Sequence, residues 1–276
     1  MNLTFVHPGD ASMASFRYRT LMPAQQLTQS SKFDQVCINE GMADVVVFSK
    51  PLPQQMDFAK QCKKDGTRVI VDICDGHFDH DVLGPVYREM ISLSDEVVCP
   101  TDSLRDRIHD ISGRDSVVIP DPYEHERCEP HAEGNEVLWY GHQSNLADII
   151  PYVQKLDNLS VCTGPNNLLT GYIPWTIEAQ REELARANIV ILPGRNEEKS
   201  ANRLINAVMA GCFVCADPTA ARKEFRQYLW TNDVFNGLRW AKVNRYDLNE
   251  LVSECQDYIE VNYSPEQVGK LWASVV

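Results

Sequence analysis

The sequence predicts an α/β protein built from two doubly wound domains, and three observations support this. Apolar runs rich in Val and Ile alternate with amphipathic helical stretches along most of the 276 residues. The predicted strands are almost continuously apolar, which is typical of parallel sheets covered by helices on both faces. The alternation breaks once, at the polar, proline-containing residues 121–127, and then restarts. We therefore expect domains at 1–122 and 123–262, and a last helix at 263–276 that packs back across them.

The first domain is predicted to alternate strands with helices. The predicted strands are Leu3–His7, Gln35–Asn39, Val45–Ser49, Arg68–Cys74, Glu96–Pro100 and Val117–Pro120. The predicted helices are Ser15–Gln29, Gln54–Asp65, Leu83–Leu93 and Thr101–Ile111. Apolar strands separated by amphipathic helices favour a single parallel sheet.

The second domain repeats this pattern. The predicted strands are Glu136–Tyr140, Leu159–Cys162, Asn188–Leu192 and Phe213–Ala216. The predicted helices are Leu146–Leu156, Ile177–Ala187, Glu198–Gly211, Ala220–Leu229 and the final Pro265–Val275. Two such sheets facing each other would leave a cleft lined by the C-terminal ends of the strands, where α/β proteins bind ligands.

The composition is that of an ordinary globular protein, with an acidic balance that disfavours a nucleic-acid partner. The formal net charge is −13, whereas phosphate binding favours Lys and Arg on one face. The sequence has neither an apolar segment of about 18 residues nor a basic, apolar leader. We therefore expect no transmembrane segment, no signal peptide and a cytoplasmic protein.

The nine cysteines lie mostly inside apolar runs, as small buried hydrophobic residues do in a reducing compartment. Cys212 and Cys215 have the C-x-x-C spacing, but no second pair accompanies them, and Phe213 and Val214 between them favour a strand. The motifs G-x-G-x-x-G and G-x-x-x-x-G-K-[ST] are absent, so a dinucleotide site and a P-loop lose their main support.

The segment Glu197–Ala216, EEKSANRLINAVMAGCFVCA, begins with charged residues and ends as an apolar strand. In a helix, its polar residues would form one stripe and its apolar residues the opposite face. The stripe consists of Lys199, Asn202, Arg203 and Asn206, and the apolar face of Ala201, Leu204, Ile205 and Val208.

The first turn of this helix is expected at the C-terminal end of the strand at residues 188–192, where free backbone N–H groups attract an anion. Lys199, Ser200 and Arg195 would add charge and a hydroxyl group, and Glu198 can accept hydrogen bonds from ligand hydroxyls. In the alternative interpretation the glutamates only favour the helix dipole, and Asn202 and Arg203 are simply solvated.

The stretch from Pro193 to Ala216 resembles the donor-binding segment of GT-B glycosyltransferases, especially those of glycosyltransferase family 4. The family signature is Glu, seven residues, Glu, then a stretch of small residues with Gly and a strand. Here Glu198 is followed after seven residues by Asn206 and then by Ala207-Val208-Met209-Ala210-Gly211. The resemblance implies that Glu198 contacts the donor sugar and that Asn206, which replaces the second Glu, holds the ribose.

The resemblance extends along most of the chain. Four further segments resemble parts of these enzymes. Ala14–Arg19 with Pro23-Ala24 is similar to their first helix, and Ser94–Thr101 to the last strand of their N-terminal domain. Trp139–Gly141 resembles the first strand of their nucleotide domain, and Gly171–Trp175 the loop whose backbone reads the base.

One departure concerns the diphosphate. The family usually carries Arg after the Gly of the first C-domain strand and Lys soon after, whereas residues 141–145 read Gly-His-Gln-Ser-Asn. We infer that Arg195 and Lys199 bind the phosphates instead. The alternative is a weakened or altered donor site.

The resemblance implies a GT-B fold, with two Rossmann-like domains facing across a cleft, and a hexosyltransferase that uses a UDP- or GDP-linked sugar. Transfer would go to a hydroxyl of a glycan, lipid, small molecule or modified DNA, with retention and without a metal or other cofactor. The residues implied in catalysis are Glu198, Lys199 and Arg195. Those implied in donor binding are Gly9, Ser200, Asn202, Asn206, Ile173, Trp175 and Gly141.

The acidic stretch at residues 72–81, DICDGHFDHD, follows a predicted buried strand. Its carboxylates and histidines suit a metal, and Asp79-His80-Asp81 matches the D-x-D of the other glycosyltransferase fold. Because D-x-D is a weak motif and acidic loops are usually solvated, we expect no metal. In the GT-B interpretation Asp75 and His77, together with Arg17, are acceptor-side candidates, although a histidine on a loop is equally consistent with a plain surface residue.

Three alternatives remain open. In the first, the protein has the same fold but acts on a hydroxymethylated DNA base. In the second, it is a GT-B-like protein that binds nucleotide without turnover. The third is a metal-dependent D-x-D transferase. A scaffold without a ligand would leave the polar stripe unexplained.

Overall fold

The computed structural model describes residues 1–41 and 43–276, and the chain divides into two compact units. Unit 1 consists of Met1–Pro122, Glu197–Ser200 and Asn262–Val276. Unit 2 consists of Tyr123–Asn196 and Ala201–Val261. Each unit contains one six-stranded parallel sheet, as the apolar strands predict.

The sheet of unit 1 has the order β2-β1-β3-β4-β5-β6. Its strands are β1 (Asn2–Val6), β2 (Gln35–Ile38), β3 (Val45–Ser49), β4 (Arg68–Asp72), β5 (Glu96–Cys99) and β6 (Val117–Val118). All six were predicted, with ends that differ by at most two residues. The chain runs from β1 to β2 and then returns to the other side of β1 for β3. The C-terminal ends of β1 and β3, here named the first switch point, are therefore the expected place for a ligand in this unit.

Helices cover both faces of this sheet and fill its core with apolar side chains. They are α1 (Ala14–Phe16), α2 (Met22–Thr28), α3 (Met56–Lys64), α4 (Leu83–Leu93) and α5 (Asp102–Ser112). The single helix predicted at Ser15–Gln29 is α1 and α2 joined by a π-helical turn at Arg17–Leu21. Every residue of β3 is buried, which explains why its sequence is a continuous apolar run.

The sheet of unit 2 has the order β12-β11-β10-β7-β8-β9. Its strands are β7 (Val137–Gly141), β8 (Leu159–Thr163), β9 (Ile173–Pro174), β10 (Ile189–Leu192), β11 (Phe213–Ala216) and β12 (Trp230–Thr231). Four of them were predicted, and the two-residue strands β9 and β12 were not. The chain runs from β7 outward to β9 and then crosses to the other side of β7 for β10. The C-terminal ends of β7 and β10 form the second switch point.

The helices of unit 2 follow the prediction in part. They are α6 (Leu146–Val153), α7 (Ile177–Arg186), α8 (Asn202–Met209), α9 (Val234–Val243) and α10 (Leu248–Tyr263), whose last two residues belong to unit 1. The helix predicted at Ala220–Leu229 is a 3₁₀ segment, Ala220–Gln227. The sequence analysis assigned no structure to the region of α9 and α10.

The helix predicted at Glu198–Gly211 is wrong at its start, because α8 begins only at Asn202. Residues 197–200 belong to unit 1 and form a turn. The Ser200 hydroxyl donates to Asp121, and the Lys199 ammonium group donates to Asp75. These two contacts with residues remote in the sequence hold the segment in the turn.

The last helix, α11 (Pro265–Val275), belongs to unit 1. Its Trp272 is fully buried, with its ring 5.6 Å from the ring of Phe5 in β1 and 5.3 Å from the Arg19 guanidinium. Unit 1 is therefore completed by residues from the far end of the chain.

Cys212 and Cys215 are buried free thiols, and Cys215 lies in β11, so the strand predicted between them is confirmed. Within residues 1–41 and 43–276, none of the helices combines the length and the hydropathy that crossing a membrane requires.

Candidate functional site

His7 follows β1 at the first switch point, and its ring is buried. The Gly9 N–H donates to its Nδ1 across 2.9 Å, so the ring proton lies on Nε2, which is 3.2 Å from the Ser15 hydroxyl. Burial and the charge of Lys50 lower the pKa of His7 to about 4. His7 is therefore a neutral hydrogen-bonding group at pH 7. Gly9, a predicted donor-binding residue, is fixed by this bond.

Lys50 follows β3 at the same switch point and was missed by the sequence analysis. Its Nζ lies 2.8 Å from Oδ2 of Asp75, and its backbone N–H donates to the carbonyl of Asp72. Its φ of 52° lies in the left-handed region, which residues with a side chain seldom adopt. Burial opposes the charge of Lys50, but Asp75 outweighs burial and raises the pKa of Lys50.

Asp75, which comes just after β4, is the shared partner of several groups. The Lys199 ammonium group donates to Oδ1, Lys50 pairs with Oδ2, and Nε2 of His77 lies 3.7 Å from Oδ2. Burial disfavours the charged carboxylate, but His77 and the two lysines outweigh it and hold the pKa of Asp75 well below its ordinary value. Two lysines thus share one carboxylate, which leaves this cluster of three side chains with a net positive charge.

Glu198 packs against the backbone of Gly76, where a Cβ atom would overlap its carboxylate. Nε of Arg107 lies 3.8 Å from Oε1 of Glu198, and the Thr101 hydroxyl donates to the Glu198 carbonyl across 3.4 Å. Burial raises the pKa of Glu198 in spite of the Arg107 charge. The acidic loop after β4 and the turn at residues 197–200 are therefore neighbours within unit 1. The sequence analysis did not predict this contact.

A buried ionic network lies beneath this turn. Arg19, in the π-helical turn, donates to both carboxylate oxygens of Asp72, with its Nη2 2.7 Å from Oδ1, and its Nη1 lies 3.3 Å from Asp121. Burial opposes the charge of Arg19, but Asp72 outweighs it and raises the pKa of Arg19. Asp121 accepts a hydrogen bond of 2.5 Å from the hydroxyl of Ser200. The predicted donor residue Ser200 is thereby tied to the core of unit 1.

Arg203 lies at the second switch point, in the first turn of α8. Its Nη1 donates to the carbonyl of Tyr140 in β7 across 3.1 Å, and the Tyr140 hydroxyl donates to the Arg203 carbonyl across 2.6 Å. A Cβ on Gly141 would come within 2.8 Å of the same Nη1. Burial lowers the pKa of Arg203. The guanidinium group is thus partly buried rather than simply solvated.

Asn206 is 1% exposed and uses its amide within unit 2. Its Oδ1 accepts hydrogen bonds from the backbone N–H groups of Glu124 and His125, at 2.9 and 3.1 Å, and its Nδ2 donates to the carbonyl of Asn202. These bonds attach the polar stretch after Pro122 to α8.

Two further predicted residues use their polar groups locally. Nη1 of Arg17 donates to the carbonyl of Ala11 across 2.9 Å, and Nε1 of Trp175 donates to Gln180 across 2.9 Å.

Three others are placed by their elements alone. Ile173 lies in β9, Arg195 is exposed in the loop after β10, and Asn202 is the first residue of α8.

The acidic loop shows no metal-binding arrangement among the residues that the structure describes, where no group of three His, Cys, Asp or Glu side chains is placed to hold an ion. Asp79 of the D-x-D motif pairs with Arg107 at 3.0 Å.

The predicted site residues thus fall into two groups. Asp75, His77, Glu198, Lys199 and Ser200 lie together in unit 1, and the sequence analysis missed their neighbours His7 and Lys50. In unit 2, Gly141 lies beside Arg203, which the sequence analysis placed on the polar stripe without a role. The available signal was position, because both His7 and Lys50 directly follow buried apolar strands.

Comparison with known proteins gives a clear result for the fold. Neither a protein-family model nor a curated protein matches the sequence. Among solved structures, HepE from Anabaena in complex with UDP-glucose is similar over 100% of this chain and 99% of its own, with a TM-score of 0.73 and 10% identity. An alpha-glucosyltransferase in complex with UDP-glucose and DNA is similar over 99% of this chain and 99% of its own, with a TM-score of 0.62 and 10% identity.

The chain has the GT-B fold. TarM of S. aureus matches 84% of this chain and 55% of its own, with a TM-score of 0.62 and 13% identity. UDP-GlcNAc 2-epimerase from Neisseria meningitidis, bound to UDP-GlcNAc, matches 99% of each chain with a TM-score of 0.59 and 10% identity. The fold prediction is confirmed. Membership of glycosyltransferase family 4 stays a prediction.

Proposed function

We propose that this protein is a glycosyltransferase that moves a sugar from a nucleotide diphosphate sugar to a hydroxyl acceptor. The observation that carries the proposal is the likeness to HepE along both whole chains, since that structure holds UDP-glucose. Three of the four similar structures named above hold a UDP-linked sugar, which favours UDP over GDP as the nucleotide here.

The cluster of Lys50, Lys199 and Asp75, with its net positive charge, supports this chemistry. Sugar transfer breaks the bond between C1 of the sugar and the β-phosphate oxygen, so negative charge grows on the phosphate. Lys199, together with Arg195, stabilises that charge in our proposal. Glu198, held against Gly76, accepts hydrogen bonds from the donor sugar.

We further propose transfer with retention and without a metal. The acceptor oxygen then bonds to C1 on the face from which the phosphate leaves, and the acceptor proton passes to a phosphate oxygen. No separate side-chain base is needed for that step. Asp75 is ionised and already paired, so its proposed part is to orient Lys199 toward the donor phosphate and His77 on the acceptor side.

Turnover tests this proposal. The protein is incubated with UDP- and GDP-linked sugars, with and without chelator, and release of free nucleoside diphosphate is measured. We expect release from one donor, unchanged by chelator, and a loss of roughly 100-fold or more in Glu198→Gln, because a transition-state contact of about 2.7 kcal/mol is removed. Glu197→Gln, the neighbouring exposed carboxylate, is the matched control and should retain activity.

A second candidate is transfer to a hydroxymethylated DNA base, favoured by the likeness to the DNA-bound alpha-glucosyltransferase. The net charge of −13 works against DNA binding. Duplexes with and without hydroxymethylated bases, assayed as acceptors at 50 and 200 mM salt, separate the two. Glucosylation that falls steeply with salt would establish the DNA acceptor.

A further inference from the structure

Arg203 is a partly buried cation without a direct ion-pair partner in the described part of the chain: burial lowers the pKa of Arg203 and outweighs the charge of Asp148, which favours the charged guanidinium group. Among the residues that the structure describes, no carboxylate forms an ion pair with its guanidinium group, and its hydrogen bond to a neutral carbonyl, that of Tyr140, uses one of five N–H donors. Most arginines that lose contact with water in proteins are paired, because an isolated buried charge is costly. A guanidinium group left in this state is suited to an anion that arrives from outside.

The position of Arg203 in the fold indicates where a ligand would supply this anion. The residue lies in α8, which follows β10, and it touches the end of β7, so it spans the two strands between which the strand order of unit 2 reverses. Open α/β sheets bind ligands outside the carboxyl ends of their strands at this point. Gly141, which ends β7, has no side chain, and a Cβ there would come within 2.8 Å of the guanidinium nitrogen. The guanidinium group of Arg203 therefore lies beside the main-chain atoms of Gly141 rather than beside a side chain.

We propose that Arg203 binds the diphosphate of the nucleotide donor. The planar guanidinium group presents paired N–H donors that match two phosphate oxygens, which a lysine cannot do. The assignment rests on the proposed function and adds Arg203 to Lys199 and Arg195 as a ligand of the diphosphate. Because Arg195 is exposed and Lys199 already pairs with Asp75, Arg203 is the principal ligand of the three.

Calorimetric titration of the 276-residue protein tests this assignment. The ligands are UDP, GDP, ADP, CDP and TDP, together with the nucleoside of whichever diphosphate binds. We expect Arg203→Gln to raise the Kd of that diphosphate roughly 10- to 100-fold and to leave the Kd of the nucleoside unchanged, since only the phosphate contact is lost. Arg203→Lys, which keeps the charge without the paired donors, should have a Kd between those of the wild type and Arg203→Gln. Arg181→Gln, an exposed arginine of α7, is the matched control and should bind like the wild type.

Two results would overturn the assignment while the proposed function stands. The first is that both Arg203 variants bind the diphosphate as tightly as the wild type does. The second is an equal loss of diphosphate and nucleoside binding in both variants, with a lower melting temperature, which would make Arg203 a structural residue. A wild type that binds none of the five diphosphates would overturn the assignment and the proposed function together.

Discussion

At the scale of single residues, His7 shows how burial selects one protonation state. Its ring accepts from Gly9 and is 3% exposed, so a proton on Nδ1 would break that bond and bury a charge near Lys50. The pKa of His7 falls from 6.5 to about 4, so between these values the unfolded chain binds more protons than the folded one. Folding stability should therefore rise with pH through this window and level off above it.

His7→Gln should remove this part of the pH dependence. In the wild type the free energy of unfolding should fall between pH 6.5 and pH 4 by up to about 3 kcal/mol more than in the variant, because each pKa unit corresponds to about 1.4 kcal/mol. Urea denaturation at pH 7, 5.5 and 4.5 measures the difference. Parallel curves for the two proteins would show that His7 does not titrate as described.

Arg19 and Asp72 form the most deeply buried ion pair described in unit 1, with side-chain exposures of 1% and 0%. Asp72→Ala leaves the guanidinium group without its principal counterion and should cost about 3–5 kcal/mol in urea denaturation. The double variant Arg19→Met with Asp72→Leu removes both charges and should recover most of that loss. A single variant as stable as the wild type would mean that water or Asp121 already compensates Arg19.

At the scale of elements, Asn206 links α8 to the chain that precedes β7. Asn206→Ala removes the acceptor of two backbone N–H groups and should lower the free energy of unfolding by about 1–3 kcal/mol. Hydrogen exchange gives a sharper readout, because the amides of Glu124 and His125 should lose protection in this variant. Asn206→Asp keeps the accepting oxygen and should keep their protection. Unchanged exchange in Asn206→Ala would contradict the geometry.

The same scale shows what the sequence can and cannot predict. β3, β11 and α4 were predicted with their observed bounds, because each depends on the apolar pattern of its own residues. The start of α8 was not predictable in this way, since Ser200 is held by Asp121, which is remote in the sequence. The partnerships of Lys50 with Asp75 and of Arg203 with the end of β7 are likewise visible only after the strands have been ordered.

At the scale of the whole molecule, unit 1 depends on both ends of the chain. Trp272→Ala should cost about 3–5 kcal/mol, because a fully buried indole packed on Phe5 is removed. Hydrogen exchange should show the loss in the amides of β1, while those of β7 in unit 2 keep their protection. Leu271→Ala, a partly buried neighbour on α11, is a milder control. Equal loss of protection in both units would mean that they unfold as one cooperative body.

The central claim is that this GT-B protein binds a nucleotide sugar, and the most direct measurement is hydrogen exchange with and without UDP-glucose. We expect saturable protection of the amides of residues 141–144 and 202–206, which lie at the second switch point, with no change in α10 on the same unit. If neither UDP-glucose nor any other UDP- or GDP-linked sugar changes exchange at these residues up to millimolar concentration, this protein has no nucleotide-sugar site at the second switch point.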